Sequence, residues 1–177
     1  MAQLQLFPPP PVRCPTTPEQ VCDPAARRTH PYRVPIYRVT LVRETSITAP
    51  RPRLRSAQDA AELLRQYLGE VDREHFVVIL LDRKNAPIGI NTVSIGSLTA
   101  SVVHMRETFK AAILANAAAI LCGHNHISGD PEPSREDRAL TQQLVKAGTL
   151  LGIPVVDHVV LGDGTLAYFS FADHGLL

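Results

Sequence analysis

The run "HFVVILLD" at residues 75–82 is apolar throughout between polar ends. Continuous apolar character over that length predicts a central strand buried on both faces. Upstream the period changes. Ala60, Leu63, Leu64, Tyr67 and Leu68 recur at helical spacing, and Ser56 followed by Asp59 marks the helix start. After the turn "RKNAP", the segment "IGINTVSIG" predicts a second strand and "ASVVHM" a short third. "RETFKAAILANAAA" returns to helical spacing through Phe109, Ala112, Ile113 and Ala117, and "AAILCG" is another buried strand.

The C-terminal part is equally patterned. "SREDRALTQQLVKAGTLLG" predicts a helix with Leu140, Leu144, Ala147 and Leu151 on one face and Gly152 as its C-cap. "IPVVDHVVLGDGTLAYFSF" predicts two strands joined by the turn "GDG". Near the N-terminus, Val34, Ile36, Val39, Leu41 and Val42 alternate approximately, which predicts an edge strand that tolerates Pro35. Residues 1–32, with "PPPP", predict a proline-rich, poorly ordered arm. The organisation expected is thus an arm over 1–32, a basic linker with an edge strand over 33–55, and a folded body over 56–177. The body is of α/β (α+β) class, a mixed sheet flanked by helices, with no internal repeat.

Composition changes little in that picture, and charge changes more. A chain of 177 residues with 45% hydrophobic content suits one domain with attachments. No run of about 18 apolar residues is present, so no membrane partner is expected. The start "MAQLQLFPPPPVRCP" does not read as a secretory signal, and three cysteines without framework spacing argue against a disulfide scaffold. A cytoplasmic protein is the expectation. Residues 1–55 hold nine arginines against Glu19, Asp23 and Glu44, a net of +6, while the remainder nets −5. The simpler reading of this asymmetry is a solvated arm paired with its own acidic domain. The other is contact with nucleic acid or an acidic partner.

The candidate chemistry lies in "CGHNHISGDPEPSRED", residues 122–137. Residues i and i+2 of a strand point the same way, so His124 and His126 can offer two imidazoles to one cation. Imidazole suits zinc, and a catalytic zinc keeps three protein ligands and an open position. Asp137, in the first turn of the next helix, and Asp130, within the loop, are both candidates for the third ligand. Competing readings are core histidines satisfied by hydrogen bonds, and Ser134 with Asp137 acting as a capping box alone.

At these residues the chain resembles the RadC family of the JAMM (MPN-plus) metalloprotease superfamily. The superfamily pattern is a distant Glu, then H-x-H, seven residues, and S-x-x-D, and the spacing from His126 to Ser134 and Asp137 agrees. "GSL" at 96–98, "VHMRE" at 103–107, "LANAAAI" at 114–120 and "VVDHVVLGDG" at 155–164 extend the resemblance over roughly residues 56–177. Two positions depart from the family pattern: Ile127 and Met105 stand where proline is usual. The N-terminal helix-hairpin-helix region that usually accompanies the domain is not recognisable here.

The resemblance implies a JAMM/MPN fold similar to the cytidine deaminase-like fold. It implies Zn2+ held by His124, His126 and Asp137, with Ser134 hydrogen-bonding the bound water or developing oxyanion. The reaction would be hydrolysis of a peptide or isopeptide bond. The general base implied is Glu74, in "DREHFVVILLD", with Glu107 as the runner-up, whose simpler role is a favourable charge at a helix N-terminus. Asp157 and His158 are expected either to support the site or to form a core hydrogen bond. The alternatives are a DNA-repair-associated or DNA-binding protein whose metal site is structural or vestigial, and a non-catalytic docking module. The letters "HNH" at 124–126 are not the nuclease motif, which draws them from separated positions.

Overall fold

The computed structural model describes residues 33–96 and 103–177. The chain divides into two units, Met1–Arg38 and Val39–Leu177. In the first, the described residues 33–38 form no helix or strand. The second holds α1 (Ala57–Leu68), β1 (His75–Leu81), β2 (Pro87–Ile95), α2 (Met105–Leu114), β3 (Ala119–His126), α3 (Arg135–Leu151), β4 (Val155–Gly162) and β5 (Tyr168–Ser170).

The strands form one mixed sheet in the order β2-β1-β3-β4-β5. β1 pairs antiparallel with both β2 and β3, β4 pairs antiparallel with β5, and β3 lies parallel to β4. The parallel pair needs a crossover, and α3 supplies it. The continuous apolar run of β1 is explained by its place: it has a neighbour on each side and a helix layer over each face. Its odd-numbered side chains, Val77, Ile79 and Leu81, join Leu63 and Leu64 of α1, Leu121 of β3, and Val159 and Leu161 of β4. Its even-numbered ones, Phe76, Val78 and Leu80, join Phe109 of α2, Leu144 of α3, and Ile120 and Cys122 of β3. The sheet is therefore filled between α1 on one face and α2 with α3 on the other.

The helix boundaries follow local chemistry. Ser56 Oγ accepts from Asp59 N at 3.2 Å to start α1, and Gly152, at φ 69°, closes α3 in the left-handed region that a side chain would disfavour. α2 stops at Leu114, earlier than its spacing suggests, because Asn116 turns to φ 52° and sends the chain into β3. The buried stripe of α3 also differs from expectation. It runs through Asp137, Thr141, Leu144 and Gly148, while Leu151 is exposed. That rotation aims two polar side chains of α3 at the sheet.

Two expected strands need correction. Residues 33–49 carry no strand, and Val34, Ile36, Val39, Leu41 and Val42 are exposed. Alternation proposes a strand, but only a ladder makes one, and each ladder among the described residues is formed within β1–β5. Half of "ASVVHM" lies outside the described residues; Val103 and His104 are not in a strand and Met105 opens α2. No helix among the described residues is long and apolar enough to cross a membrane.

Leu64 shows how closely α1 and β3 approach. It is fully buried, and a Cβ added at Gly123 would stand 2.4 Å from its Cδ1, so the absent side chain of Gly123 is what admits it. Leu64→Ala is expected to destabilise the protein by about 2–5 kcal/mol in urea unfolding, the usual cost of such a core cavity. A loss below about 1 kcal/mol would show that α1 does not hold the sheet in this way.

Candidate metal centre

The site is built where β3 ends and α3 begins. β3 runs to His126, so both histidines are strand residues and project to the same face. Asp137 arrives from the other direction, in the first turn of α3. Its backbone N–H donates to Ser134 Oγ at 3.1 Å, and Ser134 N–H donates to Asp137 Oδ2 at 2.8 Å, which completes a capping box. The Ser134 hydroxyl adds a further hydrogen bond to Oδ2 at 2.6 Å. Helix capping and the site thus use the same carboxylate.

The three side chains converge. His124 Nε2 stands 3.0 Å from His126 Nε2 and 3.4 Å from Asp137 Oδ1, and His126 Nε2 stands 3.4 Å from Asp137 Oδ2. His124 and Asp137 are buried. Among the described residues, these three offer ligand atoms that all lie within 4.8 Å of one another.

The surrounding hydrogen bonds fix the tautomers. Thr141 Oγ1–H donates to the Asp137 carbonyl at 2.7 Å. A hydroxyl has one proton, so the 2.6 Å contact between Thr141 Oγ1 and His158 is donated by His158 Nδ1–H. His158 Nε2 then accepts from His124 Nδ1–H at 2.9 Å. This leaves the Nε2 lone pair of His124 facing the cluster. His126 reaches the same state, because its Nδ1–H donates to the Asp130 carbonyl at 2.8 Å. Burial, aided by neighbouring His124, holds His158 well below the usual histidine range, so it stays neutral in this chain of bonds.

Two imidazole lone pairs therefore meet a carboxylate whose Oδ1 is buried without a hydrogen-bond partner. That donor set fits a divalent cation. Two ligands about 2.1 Å from one tetrahedral ion stand about 3.4 Å apart; here His124 Nε2 is 3.4 Å from Asp137 Oδ1 and 3.0 Å from His126 Nε2.

A family model described as "RadC-like JAB domain" matches residues 54–176. The chain belongs to the RadC-like JAB domain family. It is 50% identical over 127 residues to a protein of Rubrobacter xylanophilus named "UPF0758 protein", a match covering 72% of this chain and 55% of that one. A "UPF0758 protein" of Methanococcoides burtonii is 46% identical over 128 residues, covering 72% and 55%. Another, from Caldanaerobacter subterraneus, is 53% identical over 109 residues, covering 62% and 47%. The chain spans about half the length of these relatives.

Within this RadC-like JAB domain the remaining expected residues fall into place unequally. Asp130 is not the third member of the cluster. Its exposed carboxylate accepts from Glu132 N at 3.0 Å, and only its carbonyl serves the site, through His126. Glu107 bonds to Lys110 and pairs with Arg106, and Lys110 holds its carboxyl below the usual range. None of these partners belongs to the cluster. Glu74 precedes β1, and its carbonyl accepts from Gly96 N at 2.8 Å. The register of β1 with β3 ends at the pair Phe76 and His124, so Glu74 lies two residues beyond it, at the His126 end of β3. Its charge is among those that raise His126.

His158 and Asp157 separate: His158 holds His124, whereas Asp157 accepts from Ser170 Oγ at 2.7 Å and from the backbone of Ala172 at 2.9 Å. Ile127 is an exposed loop residue and Met105 is half-buried at the start of α2. Cys122 is buried and free, and burial raises its thiol, so it is inert at neutral pH. Sequence reasoning does not single out Thr141. Its spacing of four from Asp137 places it on the same helix face and is the available signal.

The loop after β3 is braced from behind. Both Gly129 N and Asp163 N donate to the His126 carbonyl, at 3.1 and 3.0 Å. Gly162 makes room for this, since a Cβ there would meet the Gly129 carbonyl oxygen at 2.2 Å.

The carboxylate governs the charge balance. Burial opposes ionisation of Asp137, but the two histidines, when a proton on Nε2 lets them donate to it, and Ser134 outweigh it and hold its carboxyl far below the usual range. The Asp137 carboxylate in turn raises His126. A raised histidine pKa adds stability below the unfolded value of about 6.5 and loses it as pH rises through the folded value. Denaturant unfolding in the presence of a chelator is expected to show this falling stability across neutral pH, and His126→Gln is expected to flatten it. An unchanged slope in the variant would show that Asp137 does not act on His126.

Proposed function

We propose that this protein is a zinc-dependent hydrolase of the JAMM metallopeptidase type, cleaving peptide or isopeptide bonds. The observation that carries the reading is the convergence of the buried His124 Nε2, the half-buried His126 Nε2 and the buried, unpartnered Asp137 Oδ1. Family membership agrees with it. In this reading His124, His126 and Asp137 hold Zn2+, and the fourth position faces substrate. The ion supplies Lewis acidity, which brings the pKa of a water down to about 7.

The chain's own residues do the rest. Glu74 takes the proton from the attacking water and returns it to the leaving amine, a role for which its electrostatic reach to His126 is the support. Ser134 holds Asp137 Oδ2, leaving Oδ1 for the ion. When its hydroxyl turns away, the backbone N–H of Ser134 still holds Oδ2, and the hydroxyl can donate to the developing oxyanion. His158 and Thr141 keep the proton of His124 on Nδ1, away from the metal.

The test separates metal from turnover. The purified protein is expected to carry about one zinc per chain, and His126→Ala to lose it. Glu74→Gln is expected to keep the zinc and to lose cleavage of peptide and isopeptide reporters by at least about 100-fold. Zinc content well below one equivalent and unaffected by His126→Ala would overturn the reading.

A second reading has its own observation, the net +6 over residues 1–55. Within it, Arg33, Arg38 and Arg43 are exposed. Contact of this segment with nucleic acid predicts DNA affinity that falls steeply with salt and disappears when residues 1–55 are removed. Affinity unchanged by the removal would exclude the segment from that role.

A further inference from the structure

We propose that Asn125, the residue between the two histidines, is the positioning residue for Glu74. The inference deepens the function proposed above and rests on its reading of Glu74 as the base.

Alternation along β3 sends the Asn125 side chain to the face opposite His124 and His126, towards α1. It is 3% exposed and takes no part in the metal cluster. Its amide instead spans to the chain leading into β1. Oδ1 accepts from His75 N–H at 2.8 Å, and Nδ2–H donates to the Arg73 carbonyl at 3.2 Å. Those two peptide groups flank Glu74.

The backbone ladder between β1 and β3 reaches its last pair at Phe76 and His124, and β1 itself begins at His75. Glu74 therefore lies just beyond regular pairing. There the Asn125 amide replaces the ladder, and Gly96 N–H holds the Glu74 carbonyl from the β2 side. With the groups before and after it bonded to one planar amide, and its own carbonyl bonded to β2, Glu74 has little backbone freedom left.

The residue type suits the task. One donor and one acceptor are needed on a single short planar group, which asparagine offers. Aspartate keeps only acceptors, and serine cannot reach both peptides. The consequence is geometric. Three successive residues of one strand carry the metal ligands on one face and the clamp for the base on the other, so the distance from base to metal is set by β3 rather than by the loop that carries Glu74.

The test needs no substrate. Protein labelled with 13C at glutamate carboxyls is loaded with Co2+ in place of Zn2+. The Glu74 carboxyl carbon is expected to show a large paramagnetic shift, identified by its disappearance in Glu74→Gln. In Asn125→Ala that shift is expected to fall at least about twofold, since displacements of about 1 Å matter at such sites. Zinc affinity, measured against a competing chelator, is expected to stay within about threefold, short of the 10–100-fold loss that follows when a ligand's own support is removed. Should Asn125→Ala fail to fold, Asn125→Asp keeps the volume and the acceptor for His75 while losing the bond to Arg73, and is expected to give an intermediate shift.

An unchanged Glu74 shift in the folded variant overturns the proposal, as does a loss of zinc affinity of tenfold or more, on the same scale. A wild-type protein that binds Co2+ but shows no shifted glutamate overturns it together with the role of Glu74, leaving the metal site standing. Failure to bind Co2+ at all overturns the metal reading as well.

Discussion

A carboxylate removed from water must be met by donors and positive charge, or it takes up a proton. Asp137 is 2% exposed and ionised, and the surrounding structure can be read as the means of keeping it so. The N-terminus of α3 supplies partial positive charge. Ser134 supplies a backbone N–H and a hydroxyl to the same oxygen. The two histidines of β3 stand 3.4 Å from the Asp137 oxygens, placed to share a cation with them, and the parallel pairing of β3 with β4 through α3 brings helix start and strand end together.

The same economy runs through the supporting residues. His158, on the strand parallel to β3, and Thr141, one turn along α3, tie His124 back to the Asp137 backbone. Glycines allow the tight approaches, Gly123 beneath Leu64 and Gly162 behind the loop. The site is thereby held by three elements of the fold, each fixed by its own packing, and by one braced loop.

Much of this was legible in the sequence, for identifiable reasons. The central strand, the capped helices and the C-terminal hairpin came from periodicity and cap chemistry, both local. His124, His126 and Asp137 came from spacing and resemblance. What was not legible depends on partners. The alternation around residues 34–42 has no ladder to join. The early end of α2 turns on the left-handed Asn116. The choice between Asp130 and Asp137 depends on the rotation of α3, which a one-dimensional pattern centred on Leu140 and Leu151 misplaces. Asn125 and Thr141 act across strands and turns, and their bonds exist only once the sheet is assembled.

The ring of bonds from Thr141 through His158 to His124, closing on Asp137, has a consequence for the speed of metal uptake. A flipped imidazole at His158 would break the bonds on both of its sides, and one at His124 would break its bond to His158, so the rings have no alternative orientation to search. The cluster is already set for an incoming cation, and little side-chain entropy remains to be lost on binding. Loading of a cation there would then be governed by how quickly the ion sheds its hydration water and reaches a buried point, and exchange by how quickly water could return.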